Sequence, residues 1–91
     1  MSLTRLKVFC TVARCGSFTQ AALQLAMTQP AISFQIKQLE SELRAQLIER
    51  KGRGLALTPA GEVARDHAER ILALESEMKQ RVAAFVSGGP K

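Results

Sequence analysis

The apolar residues of the first part of the chain recur at helical spacing. Leu6, Phe9 and Val12 follow one another every three residues, as on one face of a helix. Gly16 comes where a helix commonly ends in the left-handed conformation, which glycine adopts without strain. The pattern predicts a first helix from Leu3 to Cys15.

A second, shorter helix is predicted to follow at once, from Phe18 to Ala26. Ser17 precedes it as a candidate N-cap, and Gln20 stands three residues later, as in a capping box. Ala21 and Leu25 contribute to a short apolar face. The connection to the next element is then only a few residues long.

A third helix is predicted to begin after Thr28 and to run to Leu43. Thr28 is a good N-cap, and Pro30 lies in the first turn, where its missing N–H is not needed. Its buried stripe is predicted to consist of Ile32, Ile36, Leu39 and Leu43. At 100° per residue, Phe34 lies roughly opposite that stripe, among polar residues.

Two short helices joined by a tight turn, the second with an exposed polar face, form a helix-turn-helix. In such motifs the N-terminal part of the second helix enters the major groove of DNA. The exposed Ser, Gln and Lys residues of the third helix can hydrogen-bond base edges and phosphates. Phe34 cannot, but a phenyl ring can pack on a thymine methyl group.

A hairpin is predicted after the third helix, because "QLIER" and "LALT" flank the glycine-containing "KGRG". Gly52 and Gly54 are expected to supply the freedom of the turn. The hairpin would carry three cations near its tip: Arg50, Lys51 and Arg53. Beside a helix-turn-helix it would be a wing that reaches phosphates or the minor groove.

The last predicted helix is long, from Pro59 to Val86, and it starts at the candidate N-cap Thr58. Its first two turns are expected to pack against the preceding domain. The remaining apolar seam needs a partner, most simply a second copy of the chain. The predicted dimerisation residues are Ala64, His67, Ile71, Leu74, Met78 and Phe85.

Composition and charge sharpen this interpretation. The 91-residue chain is 46% apolar and has a net charge of +5. Residues 1–58 contain eight basic and three acidic residues, whereas residues 59–91 contain five of each. A first part with a net charge of +5, joined to a second part with no net charge, predicts that only the first attracts a polyanion.

Several other functions find little support in the residues. The chain has no Gly-rich phosphate loop and no His/Cys/Asp set suited to catalysis or metal binding. It also has no apolar run long enough to cross a membrane. Cys10 and Cys15 would point in different directions on one helix, so they are expected to stay as thiols in a reducing cytoplasm. We expect no enzyme, no cofactor and no metal.

Taken together, "GSFTQAA", "TQPAISFQIKQLE", "LIER", "GRGLALTPAG" and the long closing helix resemble the LysR-type bacterial transcription regulators. The resemblance covers residues 1–86. It implies a mainly α fold: a winged helix-turn-helix of three helices and a short two-stranded wing, followed by a dimerisation linker helix. It divides the chain into a DNA-binding domain (1–58), a linker helix (59–86) and a hinge or tail (87–91).

The resemblance also implies partners. They are double-stranded DNA at a pseudo-palindromic site and a second copy, whose linker helix pairs antiparallel. The full-length protein would be at least a dimer, with a tetramer as an alternative. Family members continue into a domain that binds a small-molecule effector, so this chain would be an excised DNA-binding fragment of a bacterial regulator, with a naturally short relative as the less favoured alternative.

The family's DNA-contacting positions carry over to residues of this sequence one by one. Ser17 and Thr28 match helix N-termini that engage phosphates, and Arg53 matches a wing residue that reaches the minor groove. At position 34 the family usually has Arg or another polar residue, so the usual half-site preference does not transfer. The full predicted DNA-binding set is Ser17, Thr28, Gln29, Pro30, Ser33, Phe34, Lys37, Gln38, Arg50, Lys51 and Arg53.

Two alternatives remain open from the sequence. One is an interaction module in which the last helix is the functional part and the basic charge is incidental. The other is a winged helix that binds RNA or DNA without sequence preference. Specific binding should survive an excess of random duplex, whereas purely electrostatic binding should not.

Overall fold

A computed structural model describes residues 1–86 of the chain, in four helices and one hairpin. The elements are α1 (Leu3–Cys15), α2 (Phe18–Leu25), α3 (Gln29–Leu43), β1 (Ile48–Lys51), β2 (Gly54–Leu57) and α4 (Pro59–Val86). This architecture confirms the predicted mainly α fold with a two-stranded wing. The predicted hinge or tail, 87–91, lies outside the described residues.

Local capping explains where the first three helices begin. Ser2, Ser17 and Thr28 are their N-caps, and each side-chain oxygen accepts a backbone N–H three residues later at 3.1–3.2 Å. Each bond satisfies one donor that the helix itself leaves unpaired. These starts were predictable because capping is a short-range interaction.

The prediction for the end of α2 was wrong by one residue. Ala26 does not continue the helix but takes a left-handed conformation (φ 55°), and its N–H bonds to the carbonyls of Ala22 and Leu23. The chain must reverse here to bring α3 across α2, and no glycine is present to do so without strain. Arg44 ends α3 in the same way (φ 54°).

The core forms around α1, which packs against α2, α3 and α4. Its largest fully buried side chains are Phe9, Ile32, Leu39, Leu47, Val8 and Val12. The predicted buried stripe of α3 therefore holds at Ile32, Ile36 and Leu39. It fails at Leu43, which is 40% exposed because the last turn of α3 extends beyond the core.

The wing is a two-stranded antiparallel hairpin in which Ile48 pairs with Leu57 and Lys51 with Gly54. Gly52 has a positive φ of 58° at the first position of its two-residue turn, where L side chains are disfavoured. The prediction that Gly54 also frees the turn was wrong. Gly54 lies in β2, and its conformation is open to other residues.

α4 has 28 residues, a length of about 42 Å at the usual rise per residue. Gly61 and Ala68 are buried, and Leu72 packs partly against the core. Packing against the domain thus continues for about four turns, twice the predicted extent, because small residues let α4 approach closely. No described helix is both long and apolar enough to cross a membrane.

The start of α4 is fixed to the segment before β1. The Thr58 hydroxyl accepts from the N–H of Gly61 at 3.0 Å and donates to the carbonyl of Gln46 at 2.5 Å. A Cβ at position 61 would lie 2.1 Å from the carbonyl oxygen of Leu47. Only glycine fits, so α4 and the wing are held in a defined relative position.

Candidate nucleic-acid interface

The outer face of α3 is the surface opposite its buried stripe, formed by Pro30, Phe34, Lys37, Gln38 and Ser41. Phe34 is 56% exposed. Pro30, Lys37 and Ser41 are also exposed, and Gln38 is half-buried. The structure thus presents one cation and one aromatic ring on this face, as the helical periodicity predicted.

Both carboxylates of α3 are engaged in contacts within the domain. Glu40 Oε2 accepts from the backbone N–H of Leu47 at 2.8 Å and of Ile48 at 3.3 Å. Glu42 Oε2 lies 2.9 Å from the N-terminal ammonium of Met1 and also pairs with an arginine of α1. The hydrogen bond from that ammonium is the main reason that the pKa of Glu42 is lowered.

A cleft of about 260 Å³ separates α3 from the wing. Ser33 and Lys37 line it from α3, and Arg50 lines it from β1; Glu49 also contributes. The cleft adjoins a second hollow that includes Gln29, Pro30 and Phe18. Five of the predicted DNA-binding residues are therefore brought together here: Gln29, Pro30, Ser33, Lys37 and Arg50.

Four further predicted residues lie at the wing tip and at two helix N-termini. Lys51 and Arg53 are exposed at the tip of the wing, one on each side of Gly52. Ser17 and Thr28 occupy the N-caps of α2 and α3, where unpaired N–H groups favour anions. The roles of all these residues in DNA binding stay predictions.

A second group of residues orients α3, and the sequence analysis missed it. Arg5 of α1 donates from Nε to Gln35 Oε1 at 2.8 Å and from Nη1 to Glu42 at 2.8 Å. These bonds tie α1 to two positions on one side of α3 that are seven residues, about two turns, apart. No local pattern indicates such contacts, since the partners are at least 30 residues apart in the chain.

The six predicted dimerisation residues lie along α4, and most are exposed. Leu74 is 64% and Phe85 74% exposed, and His67, Ile71 and Met78 also face outward. Ala64 differs, because it also packs partly against the core of its own domain. The stripe continues into an apolar groove of about 510 Å³, whose lining includes Ala60, Val63, Ala64, Ile71, Leu43 and Leu47.

The two thiols are free. Cys10 is buried, and burial raises the pKa of its thiol, with Glu69 adding to the effect. Cys15 is half-buried, and its Sγ lies 3.1 Å from Gln24 Oε1. Within residues 1–86, no three His, Cys, Asp or Glu side chains come together as a metal site would require.

A winged helix-turn-helix with exposed cations on its second helix and at its wing tip, followed by a long helix, defines a class of regulatory proteins. The model of the bacterial regulatory helix-turn-helix proteins of the LysR family matches residues 3–62. The chain therefore belongs to the LysR family, as the sequence resemblance predicted.

Individual relatives agree with this assignment. The chain is 40% identical to the transcriptional regulator TfdT of Cupriavidus pinatubonensis, over 97% of the chain and 39% of the relative. It is 49% identical to the regulator CfxR of Cupriavidus necator, over 79% of the chain and 23% of that protein. The chain thus spans well under half the length of these relatives, which are regulators and not enzymes.

Solved structures show the same fold. The chain is similar to the protein in the BenM DBD–catB site 1 DNA complex, with a TM-score of 0.93 and 37% identity. That match covers 99% of this chain and 100% of the solved one. The full-length LysR-family regulator CbnR is similar with a TM-score of 0.88 and 39% identity, over 92% of this chain and 29% of CbnR.

Proposed function

We propose that the chain binds double-stranded DNA specifically, with α3 in the major groove and the wing at the adjacent backbone, as part of a transcription regulator. The observation that carries this proposal is the charge of the site. Lys37 and Arg50 line one cleft, and Lys51 and Arg53 are exposed at the adjoining wing tip. Glu49 also lines the cleft, but both carboxylates of α3 are engaged in contacts within the domain. A phosphate backbone following the cleft would meet cations at both walls.

The likeness to the BenM DBD supports this use of the surface, because that domain was solved as a DNA complex. The fold shared along nearly the whole chain supports an equivalent use of α3 and the wing. On this basis we propose the DNA-binding unit as residues 1–58 and the dimerisation helix as residues 59–86. We also propose a cytoplasmic location in a bacterium, where the DNA is.

We further propose that the functional unit is a homodimer in which two α4 helices pair antiparallel. One antiparallel register brings apolar residues of the two α4 helices opposite each other along the seam. Ile71 would face Met78 of the second copy, Ala64 would face Phe85, and Leu74 would lie near the two-fold axis. The end of each α4 would then fill the apolar groove beside the other domain, covering side chains that water now contacts.

A cysteine-trapping experiment tests this register. In a chain with Cys10 and Cys15 replaced by serine, Leu74→Cys should cross-link the two copies upon mild oxidation. Phe85→Cys should not, because antiparallel pairing places the two copies of that residue far apart. Cross-linking at position 85 as well as at position 74 would indicate parallel pairing. A monomer in sedimentation at tens of micromolar, with and without DNA, would contradict the dimer.

Selection of bound sites from random duplex tests the DNA-binding proposal. We expect a pseudo-palindromic site with half-sites about one helical turn, or a multiple of it, apart. Binding to that site should persist in excess random duplex. Loss of binding in competitor would favour electrostatic binding without sequence preference, and no binding to any duplex would favour a protein-interaction module.

Effector binding by a further domain, and a tetramer in the full-length protein, are what the family resemblance implies. They stay predictions for the whole protein, because the chain spans only 39% of TfdT and 23% of CfxR. We propose no cofactor for the DNA-binding unit itself.

A further inference from the structure

Phe34 is an unusual side chain for the centre of a surface that reads DNA. It is 56% exposed on the outer face of α3, while Ile32 and Leu39 on the opposite side are fully buried. Single exposed apolar residues are ordinary, so exposure alone has no functional meaning. Its position does, because Phe34 lies between Pro30 and Lys37 on the surface proposed to enter the groove.

The chemistry of the phenyl ring limits what it can recognise. Phe has no hydrogen-bond donor or acceptor. In the major groove, guanine presents acceptors, adenine an acceptor and a donor, and cytosine a donor. Covering any of these polar edges with a ring would remove their water without replacing its hydrogen bonds. Thymine alone presents an apolar group there, the C5-methyl.

We propose that Phe34 reads the C5-methyl group of one pyrimidine in each half-site. The inference rests on the proposed function and adds a specific base contact to it. Because the ring forms no hydrogen bond, it does not depend on the O4 of thymine or the N4 of cytosine. It therefore recognises 5-methylcytosine as well as thymine at this position, and cytosine methylation there strengthens binding.

The surroundings of Phe34 favour a methyl contact over a role inside the protein. Phe34 belongs neither to the buried core nor to the partly buried side chains packed against it. Gln35, the next residue, is held by Arg5, and Glu40 by the backbone N–H groups of Leu47 and Ile48. The backbone of α3 is thus held on both flanks of Phe34, so its Cα–Cβ bond points away from the core in a defined direction.

Removing single methyl groups from the DNA tests the inference. After site selection, each thymine of the selected site is replaced in turn by deoxyuridine, which lacks only the methyl. In each half-site, the replacement of one particular thymine should weaken wild-type binding about fourfold, which is the effect expected for one buried methyl. The same replacement should leave Phe34→Ala binding unchanged, and Phe34→Leu should retain most of the effect.

A second measurement uses cytosine at the same position. Wild type should bind the duplex with 5-methylcytosine about fourfold more tightly than the one with cytosine. Phe34→Ala should not distinguish them. Comparing the two proteins removes any direct effect of the methyl on DNA shape, since that effect is common to both. Thermal unfolding of Phe34→Ala checks that the exposed substitution leaves the fold intact.

The outcomes separate this inference from the proposed function. Specific binding combined with equal responses of wild type and Phe34→Ala to every methyl change would overturn the role of Phe34 and leave DNA binding standing. Failure of wild type to bind any duplex would overturn both. A difference confined to one pyrimidine per half-site, lost in Phe34→Ala, supports the methyl contact.

Discussion

The carboxylate of Glu40 accepts a hydrogen bond from the backbone N–H of Leu47 at 2.8 Å. It also accepts one from Ile48 at 3.3 Å, so a single side chain of α3 holds the start of the wing. A residue that would repel DNA if it were free on the surface instead fixes the distance between the two elements proposed to bind DNA.

Glu40→Ala should therefore act on stability and on DNA binding. Two backbone donors lose their partner, and we expect the free energy of unfolding to fall by about 1–3 kcal/mol, measured in urea. Glu49→Ala is the matched control, because Glu49 is exposed on β1 and lines the same cleft. Both variants remove one negative charge, so weaker DNA binding by Glu40→Ala alone would reflect a displaced wing. Equal behaviour of the two variants would contradict this role.

Gly61→Ala should be destabilising, since its Cβ would lie 2.1 Å from the Leu47 carbonyl oxygen. Backbone atoms cannot rotate away, and α4 must shift. We expect a loss of about 2–3 kcal/mol in chemical unfolding. In Gly54→Ala the new Cβ would meet the Gly16 carbonyl at an ordinary 3.7 Å, so this control should change stability little. A loss of equal size in both would argue against the close approach of α4.

Ala26→Gly should stabilise the domain. Ala26 has a φ of 55°, a conformation that is strained for any residue with a Cβ and free for glycine. We expect a gain of about 0.5–1 kcal/mol, seen as a higher Tm. The reverse effect is expected for Ala73→Gly, which lies in the interior of α4 and should cost about 1 kcal/mol. Destabilisation by both substitutions would show that the backbone of residue 26 is not in the left-handed conformation in solution.

Arg53→Ala should weaken binding to many DNA sequences alike. The Arg53 guanidinium at the exposed wing tip is expected to neutralise a phosphate or to reach the minor groove. Its removal should lower the slope of log K against log salt concentration by about one. Arg70→Ala, which removes an exposed cation of α4, should not change that slope. A loss limited to one selected site would instead indicate direct base recognition by Arg53.

The two cysteines should react at different rates in the native protein. Burial raises the pKa of Cys10 and shields it, so its reactive thiolate is rare at neutral pH. Cys15 is only half-buried. A thiol reagent should therefore modify one group quickly in native protein and two in denaturant, and Cys15→Ser should remove the fast reaction. Fast labelling of Cys10 would contradict its burial.

Short-range physics made much of the fold predictable. The N-caps Ser17 and Thr28, the glycine cap of α1 and the periodicity of α3 each depend on residues within one or two turns. The outward position of Phe34 follows from the same periodicity. The wing was predictable from its glycine-containing turn, although only Gly52, not Gly54, has the positive φ.

Contacts between distant segments could not be predicted in the same way. The errors at Ala26 and Leu43 arose because tertiary packing decides where one helix must turn and how far the core reaches. The extent of α4 packing, up to Leu72, depends on how closely Gly61 lets the helix approach. None of these positions has a distinctive local pattern.

The sequence by itself determined the element order, the helix starts and the family, because capping, periodicity and turn chemistry act over a few neighbouring residues. Only the tertiary structure decided which charges are left for a ligand. It pairs Glu40 with the wing and Glu42 with Arg5 and the N-terminus. Such pairing depends on distances between segments far apart in the chain, which a linear pattern does not contain.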